Sequence, residues 1–212
     1  MNGFASRLLP SALDVVHLLA LVLWSAALLS VAVAAMGVFI TLPKSNVVLP
    51  EFSGYVEATN SSEAAAAADY GRIAGGLVMA PVFARTDQAQ AILGSIAFAT
   101  FVVRSLLRSS WRSRRLGTFL QGALITAALV LVAWHNARVA PRMDQALQSF
   151  WEHARAGEIA EATAARARFD ADHHGADFLF RVRFALVLGA LVVSAVSGGA
   201  ARTPAPGAEP RP

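Results

Sequence analysis

Five histidines, at positions 17, 135, 153, 173 and 174, are the side chains of this chain best suited to bind a metal or haem or to pass a proton. Cysteine is absent, which excludes disulfides, thiolate metal sites and cysteine nucleophiles. Asp14 and His17 are three positions apart, so on a helix they can touch. Such a pair serves either as a proton relay or ion gate, or as an interfacial pair closing a helix end. Arg181 and Arg183 stand at the edge of a long apolar stretch, with Asp172 and Asp177 near enough to pair with them. An ionisable group in a membrane span is a functional candidate by default, and here the chemistry is retention of an anion or a lipid headgroup. Gln121 and Thr126 are the deepest polar groups of another apolar run and are suited to hydrogen bonds between helices. There is no phosphate loop, no nucleophile elbow, no His-Glu-x-x-His and no pair of carboxylates inside a span. The reading is a protein without catalytic activity and without a cofactor. Glu158 and Glu161 read as a solvated face.

Which of these residues can meet is decided by the elements that carry them. The chain has 212 residues, of which 56% are hydrophobic and 15% charged, with a mean hydropathy of +0.51. Charged residues make up about 25% of an ordinary soluble domain, so the class is a polytopic membrane protein. Four apolar runs, at 13–40, 91–107, 116–134 and 178–197, are the expected spans. They leave a short segment at 1–12, connections at 41–90 and 135–177, and a Gly-, Ala- and Pro-rich tail at 198–212 that has little to bury. Residues 13–40 form a single domain with the rest of the chain to 197. The first run is too long for a signal peptide, and Ala26, Ser30 and Ala34 line one of its faces with small side chains. Within 41–90, the pattern predicts an interfacial helix from Ser61-Ser62-Glu63 to Pro81, followed by a new helix capped by Thr86-Asp87.

The net charge is +4, and Lys44 is the sole lysine among eighteen basic side chains. Arg104, Arg108, Arg112, Arg114 and Arg115 surround the connection between the second and third spans. The positive-inside rule then places that connection and both termini in the cytoplasm of a bacterial inner membrane, with 41–90 and 135–177 outside. This clustering speaks for topology and against nucleic acid as a partner.

Residues 135–177 read as an outward helical hairpin. Met143, Leu147, Phe150, Trp151 and Ala154 form one stripe, and Ile159, Ala162, Phe169 and His173 form another, turning at Gly157. Pro141 is expected to kink or break the first arm. If the arms are straight, His173 lies level with Pro141 and Arg142, and His135 lies about 9 Å deeper. A metal shared by His135 and His173 therefore requires Pro141 to shorten the arm. The bland alternative makes His173 an interface residue hydrogen-bonded near Asp144 or the backbone freed by Pro141. His17 and His135 lie most of a bilayer apart and cannot hold one haem. Phe150 and Trp151 would anchor a membrane-protein partner if exposed.

Several segments together carry a resemblance. They are Val139-Ala140-Pro141-Arg142-Met143-Asp144, Arg168-Phe169-Asp170-Ala171-Asp172-His173, the opening from His17 to Trp24, and Gly71-Arg72-Ile73-Ala74-Gly75-Gly76. In order and spacing the chain resembles the transmembrane protein 205-like family, four-span membrane proteins of unknown function. The resemblance touches most of residues 13–197 and implies an all-α four-helix bundle with an extramembrane hairpin between spans three and four. It marks His17, Trp24, Pro141, Arg142, Phe169 and His173 as motif positions. Two departures stand out: Ala176 occupies a position where the family often has Ser, and residues 58–68 form an Ala- and Ser-rich insertion. The expected role is interaction with lipid or a membrane partner through the hairpin. Transport or resistance to a small molecule or metal ion is the alternative, and a haem- or metal-binding redox subunit a further one. Oligomeric state is not legible.

Overall fold

The computed structural model describes the backbone of residues 2–107 and 115–199 and the side chains within 12–107 and 116–196. The tail at 200–212 and the arginine-rich connection at 108–114 lie outside the described residues. All regular elements among the described residues are helical. α1 (Asn2–Thr41) continues as one helix from the short first segment into the first span. It stops at a 3-10 turn, Leu42–Lys44, where Pro43 occupies an early position that needs no N–H. A second 3-10 turn, Pro50–Phe52, leads into α2 (Ser53–Thr59).

α3 (Glu63–Leu107) starts as its sequence suggests, with the Ala65 N–H donating to Ser62 Oγ at 3.2 Å. It does not end at Pro81. The expected break and the restart at Thr86-Asp87 are replaced by one uninterrupted helix. A proline removes a single backbone hydrogen bond, and packing against neighbouring helices tolerates that loss. Thr86 caps nothing; its hydroxyl donates back to the Val82 carbonyl at 2.9 Å.

α4 (Arg115–Trp134) is joined to α5 (Ala140–Ala156) by a wide π-helical turn, His135–Val139. The Ala140 N–H reaches back five residues to the His135 carbonyl. Pro141 thus neither breaks nor ends the helix. Its ring would crowd the carbonyl four residues earlier, and the wider turn just before it relieves that crowding. Gly157, with φ 75°, takes the left-handed conformation that ends α5, and α6 (Ile159–Gly199) runs back against both α5 and α4.

Among the described residues, four helical stretches are long and apolar enough to cross a membrane: Ala12–Lys44, Glu63–Leu107, Leu116–Ala156 and Ile159–Val196. The chain is by this criterion a membrane protein. Two cores order it. In the first, Leu21, Trp24 and Leu28 of α1 meet Ala97 of α3, Ile125, Ala128 and Val132 of α4, and Val187 and Ala190 of α6. Small residues let the backbones approach: a methyl added at Gly94 would stand 2.8 Å from the Trp24 ring. In the second, Phe52, Tyr55 and Val56 cover Tyr70 and Ile73 of α3 and Phe150, Trp151, Ala154, Ala162 and Ala165 of α5 and α6. Gly71 packs so closely on the turn after α1 that an added methyl would lie 2.4 Å from the Pro43 Cα.

Candidate functional site

Two polar layers lie on either side of the first core. Thirteen residues of α3 separate Thr100 from Asp87, and fourteen separate Gln121 from His135 along α4. At 1.5 Å per residue the layers are about 20 Å apart. We call the layer near Arg104 the arginine end and the other the far end.

At the arginine end, His17 is fully buried. Its Nε2 accepts from the Gln121 amide at 2.8 Å, which leaves Nδ1 as the donor, 3.1 Å from the Ala97 carbonyl and 3.0 Å from the Thr100 hydroxyl. Both ring nitrogens are engaged, so the histidine holds α1, α3 and α4 together. Asp14 pairs with Arg104 Nε at 2.6 Å. Gln121 therefore has the helix-joining role expected of it. Thr126 does not, because it is exposed on the surface of α4.

The far end is different. Asp87 of α3 accepts from Gln90 Nε2 at 3.2 Å, and its second oxygen lies 3.3 Å from His135 Nε2. Arg183 of α6 is only 2% exposed and has Nη1 3.8 Å from Asp87. That separation is an ion pair but too long for a hydrogen bond. Arg183 Nε and Nη1, His135 Nδ1, Gln90 Oε1 and Asn136 Oδ1 are buried and find no hydrogen-bond partner among the described residues. Each such group costs about 1–3 kcal/mol if it stays unpaired. His135 and Asn136 are the first two residues of the wide turn, a kind of backbone irregularity common at functional positions.

The two arginines expected to act together are thus separated. Arg183 points into the protein. Arg181 lies on the surface, pairs with Asp177 at 2.5 Å and stands near exposed Phe178. Asp172 pairs instead with Arg142 at 3.3 Å. Arg183 is too deeply buried to meet a headgroup directly, which corrects the expectation for that residue.

The hairpin residues also differ from expectation. His173 is exposed and stacks on Phe169, with ring centroids 5.3 Å apart, rather than bonding near Asp144. Phe150 and Trp151 are each 5% exposed and belong to the second core, so they offer no anchor to a partner. Trp24 is a packing residue of the first core. Pro141 is exposed just after the wide turn. Among the described residues, no three His, Asp or Glu side chains stand close enough together to hold a metal ion.

Sequence reasoning missed Asp87 by assigning it to a helix cap, and passed over Gln90. Their spacing of three positions just before an apolar run was the available signal. It also missed the clamp above the second core. There Asp69, whose side chain is 4% exposed, accepts two hydrogen bonds from Arg166, at 2.8 and 3.0 Å. Arg166 also donates to the Tyr55 hydroxyl at 3.4 Å.

The chain matches no protein-family model, no curated protein and no solved structure with which it was compared.

Proposed function

We propose that this chain is a multi-pass protein of a bacterial inner membrane that works by contact with lipid rather than by catalysis. In this reading the long helices form a four-helix bundle of the transmembrane protein 205-like kind. α5 and α6 rise from it as a helical hairpin, and the arginine end faces the cytoplasm with both termini. One observation carries the non-transporting part of the reading. Between the polar layers, Trp24, Leu28, Ile125, Val132 and Val187 are all at most 1% exposed and close the middle with apolar side chains. A carrier needs polar groups at mid-depth, and among the described residues none of those buried there is polar apart from the Trp24 indole N–H. Lipid is favoured over a protein partner because Phe150 and Trp151 are covered. Arg181 and Phe178 lie exposed together, the arrangement by which a basic and an aromatic side chain anchor a helix at headgroup level.

The test is purification in mild detergent followed by native mass spectrometry, with proteoliposome flux measured in parallel. Anionic phospholipid should be retained, and Arg181→Leu should reduce it; proton or metal-ion flux should match that of empty vesicles. Flux above that level, or retention unchanged by the substitution, refutes the reading. A reporter fused at Gly157 that is active in the cytoplasm refutes the orientation.

A further inference from the structure

We propose that the far-end layer of Asp87, Gln90, His135 and Arg183 is a binding site for water, entered past Asp87, and that its guest is uncharged rather than an anion. The unpartnered atoms are of both kinds. Arg183 Nε and Nη1 are donors, whereas Gln90 Oε1 and Asn136 Oδ1 are acceptors. Gln90 cannot exchange its ends, because its Nε2 is committed to Asp87. His135 turns Nε2 towards the Asp87 carboxylate, and its Nδ1 is a further unpartnered atom of the layer. An anion satisfies donors only. It would also bring negative charge to a site where Arg183 and Asp87 already compensate each other. Water both donates and accepts, and buried water commonly makes about three such bonds.

Within the layer, Asp87 is the side chain most open to solvent. The Asp87 side chain is 20% exposed, while those of Arg183 and His135 behind it are 2% and 9% exposed. The aliphatic side chains of the first core, among them fully buried Leu28 and Val132 at 1%, offer water no hydrogen-bond partner beyond the layer. The molecule contains its own control. His17 is also buried in a polar layer, but both of its ring nitrogens are bonded to protein atoms, so it should be dry.

The experiment is radiolytic hydroxyl-radical labelling of the full chain in lipid nanodiscs, read by mass spectrometry, because radicals formed from bound water mark the side chains that touch it. His135 should be modified several-fold faster than His17. Gln90→Leu, which removes one acceptor and fills its space with an apolar group, should bring His135 down to the rate of His17. Equal rates in the native chain overturn the proposal, as does a His135 rate unaffected by Gln90→Leu, which would trace the labelling to surface exposure alone. Crystals of the full chain grown in bromide provide the second arm. Absence of an anomalous peak at Arg183 supports an uncharged guest, and a peak there overturns it in favour of an anion site. The lipid reading rests on Arg181 and its retention assay, so either can fail without the other.

Discussion

Replacing Gly71 by alanine should destabilise the protein, whereas the same replacement at Gly175 should stabilise it. Both glycines lie inside long helices, α3 and α6. In an exposed helix interior, alanine is worth about 1 kcal/mol more than glycine. At Gly175 nothing lies within 4 Å of the added methyl, so that gain should appear nearly whole. At Gly71 the methyl would meet backbone: Pro43 Cα at 2.4 Å, and the Leu42 carbonyl oxygen and Pro43 N at 2.5 Å. Ordinary contacts begin about an ångström further out, and no rotamer change can clear a backbone atom. The turn after α1 must move off α3, and such overpacking typically costs about 1–3 kcal/mol. With the obstruction made of backbone, the upper part of that range applies, leaving about 1–2 kcal/mol of net loss after the helix gain. For a chain of this size, 1 kcal/mol corresponds to a shift of about 2–4 °C. Thermal unfolding in detergent, followed by circular dichroism, should therefore show Gly71→Ala melting several degrees below the native chain and Gly175→Ala slightly above it. If both variants shift in the same direction, the close approach of α3 to the Leu42–Lys44 turn is wrong.

Three further outcomes follow from the polar contacts and the second core. Gln121→Leu leaves His17 Nε2 without its donor and should cost about 1–3 kcal/mol; adding His17→Leu should cost much less than the two single losses summed, and a double-mutant cycle by chemical denaturation measures that coupling. Asp69→Ala strands Arg166, whose side chain is 30% exposed and can partly turn to solvent, so the loss should fall at or below the low end of the roughly 3–5 kcal/mol for breaking a buried pair. Arg166→Met in the same background should recover part of it, and an unchanged melting temperature in Asp69→Ala would contradict the clamp. Trp151→Ala empties a site 5% exposed in the second core and should destabilise by about 3–5 kcal/mol; an effect confined to binding of another protein, with stability unchanged, would restore that residue as an anchor.

Much of the fold was legible because its determinants are local. Apolar runs of membrane length announce themselves, Gly157 marks its own left-handed turn, and the Phe150 and Ala162 stripes find each other across it. What was not legible depends on context. Pro81 and Thr86-Asp87 carry the local signals of a helix end and a helix start, yet packing of α3 against its neighbours overrides both. The candidate site was half visible. His17, Gln121 and Arg183 stood out as polar residues in apolar surroundings. The partners Thr100 of His17 and Asp87 of Arg183 come from a helix some 80 to 100 positions away, and sequence spacing holds no information about side chains met across such a distance. Arg181 and Arg183 could not be told apart by composition. Two positions on a helix are about 200° of rotation, which sends one to the surface and the other inside.

The wide turn at His135–Val139 also sets the angular phase of everything above it. One residue more than a regular turn needs is taken up there, so α5 leaves rotated by roughly 100° from the course α4 alone would set. Ala128 and Ala146 are eighteen residues apart, which on a regular helix means the same compass bearing. Here the extra residue sets their bearings apart, and both are buried, Ala128 in the first core and Ala146 on α5. A single rod thereby serves two interiors with unlike orientations, and deleting one residue from the turn would swing one of them out of alignment while leaving the helix itself intact.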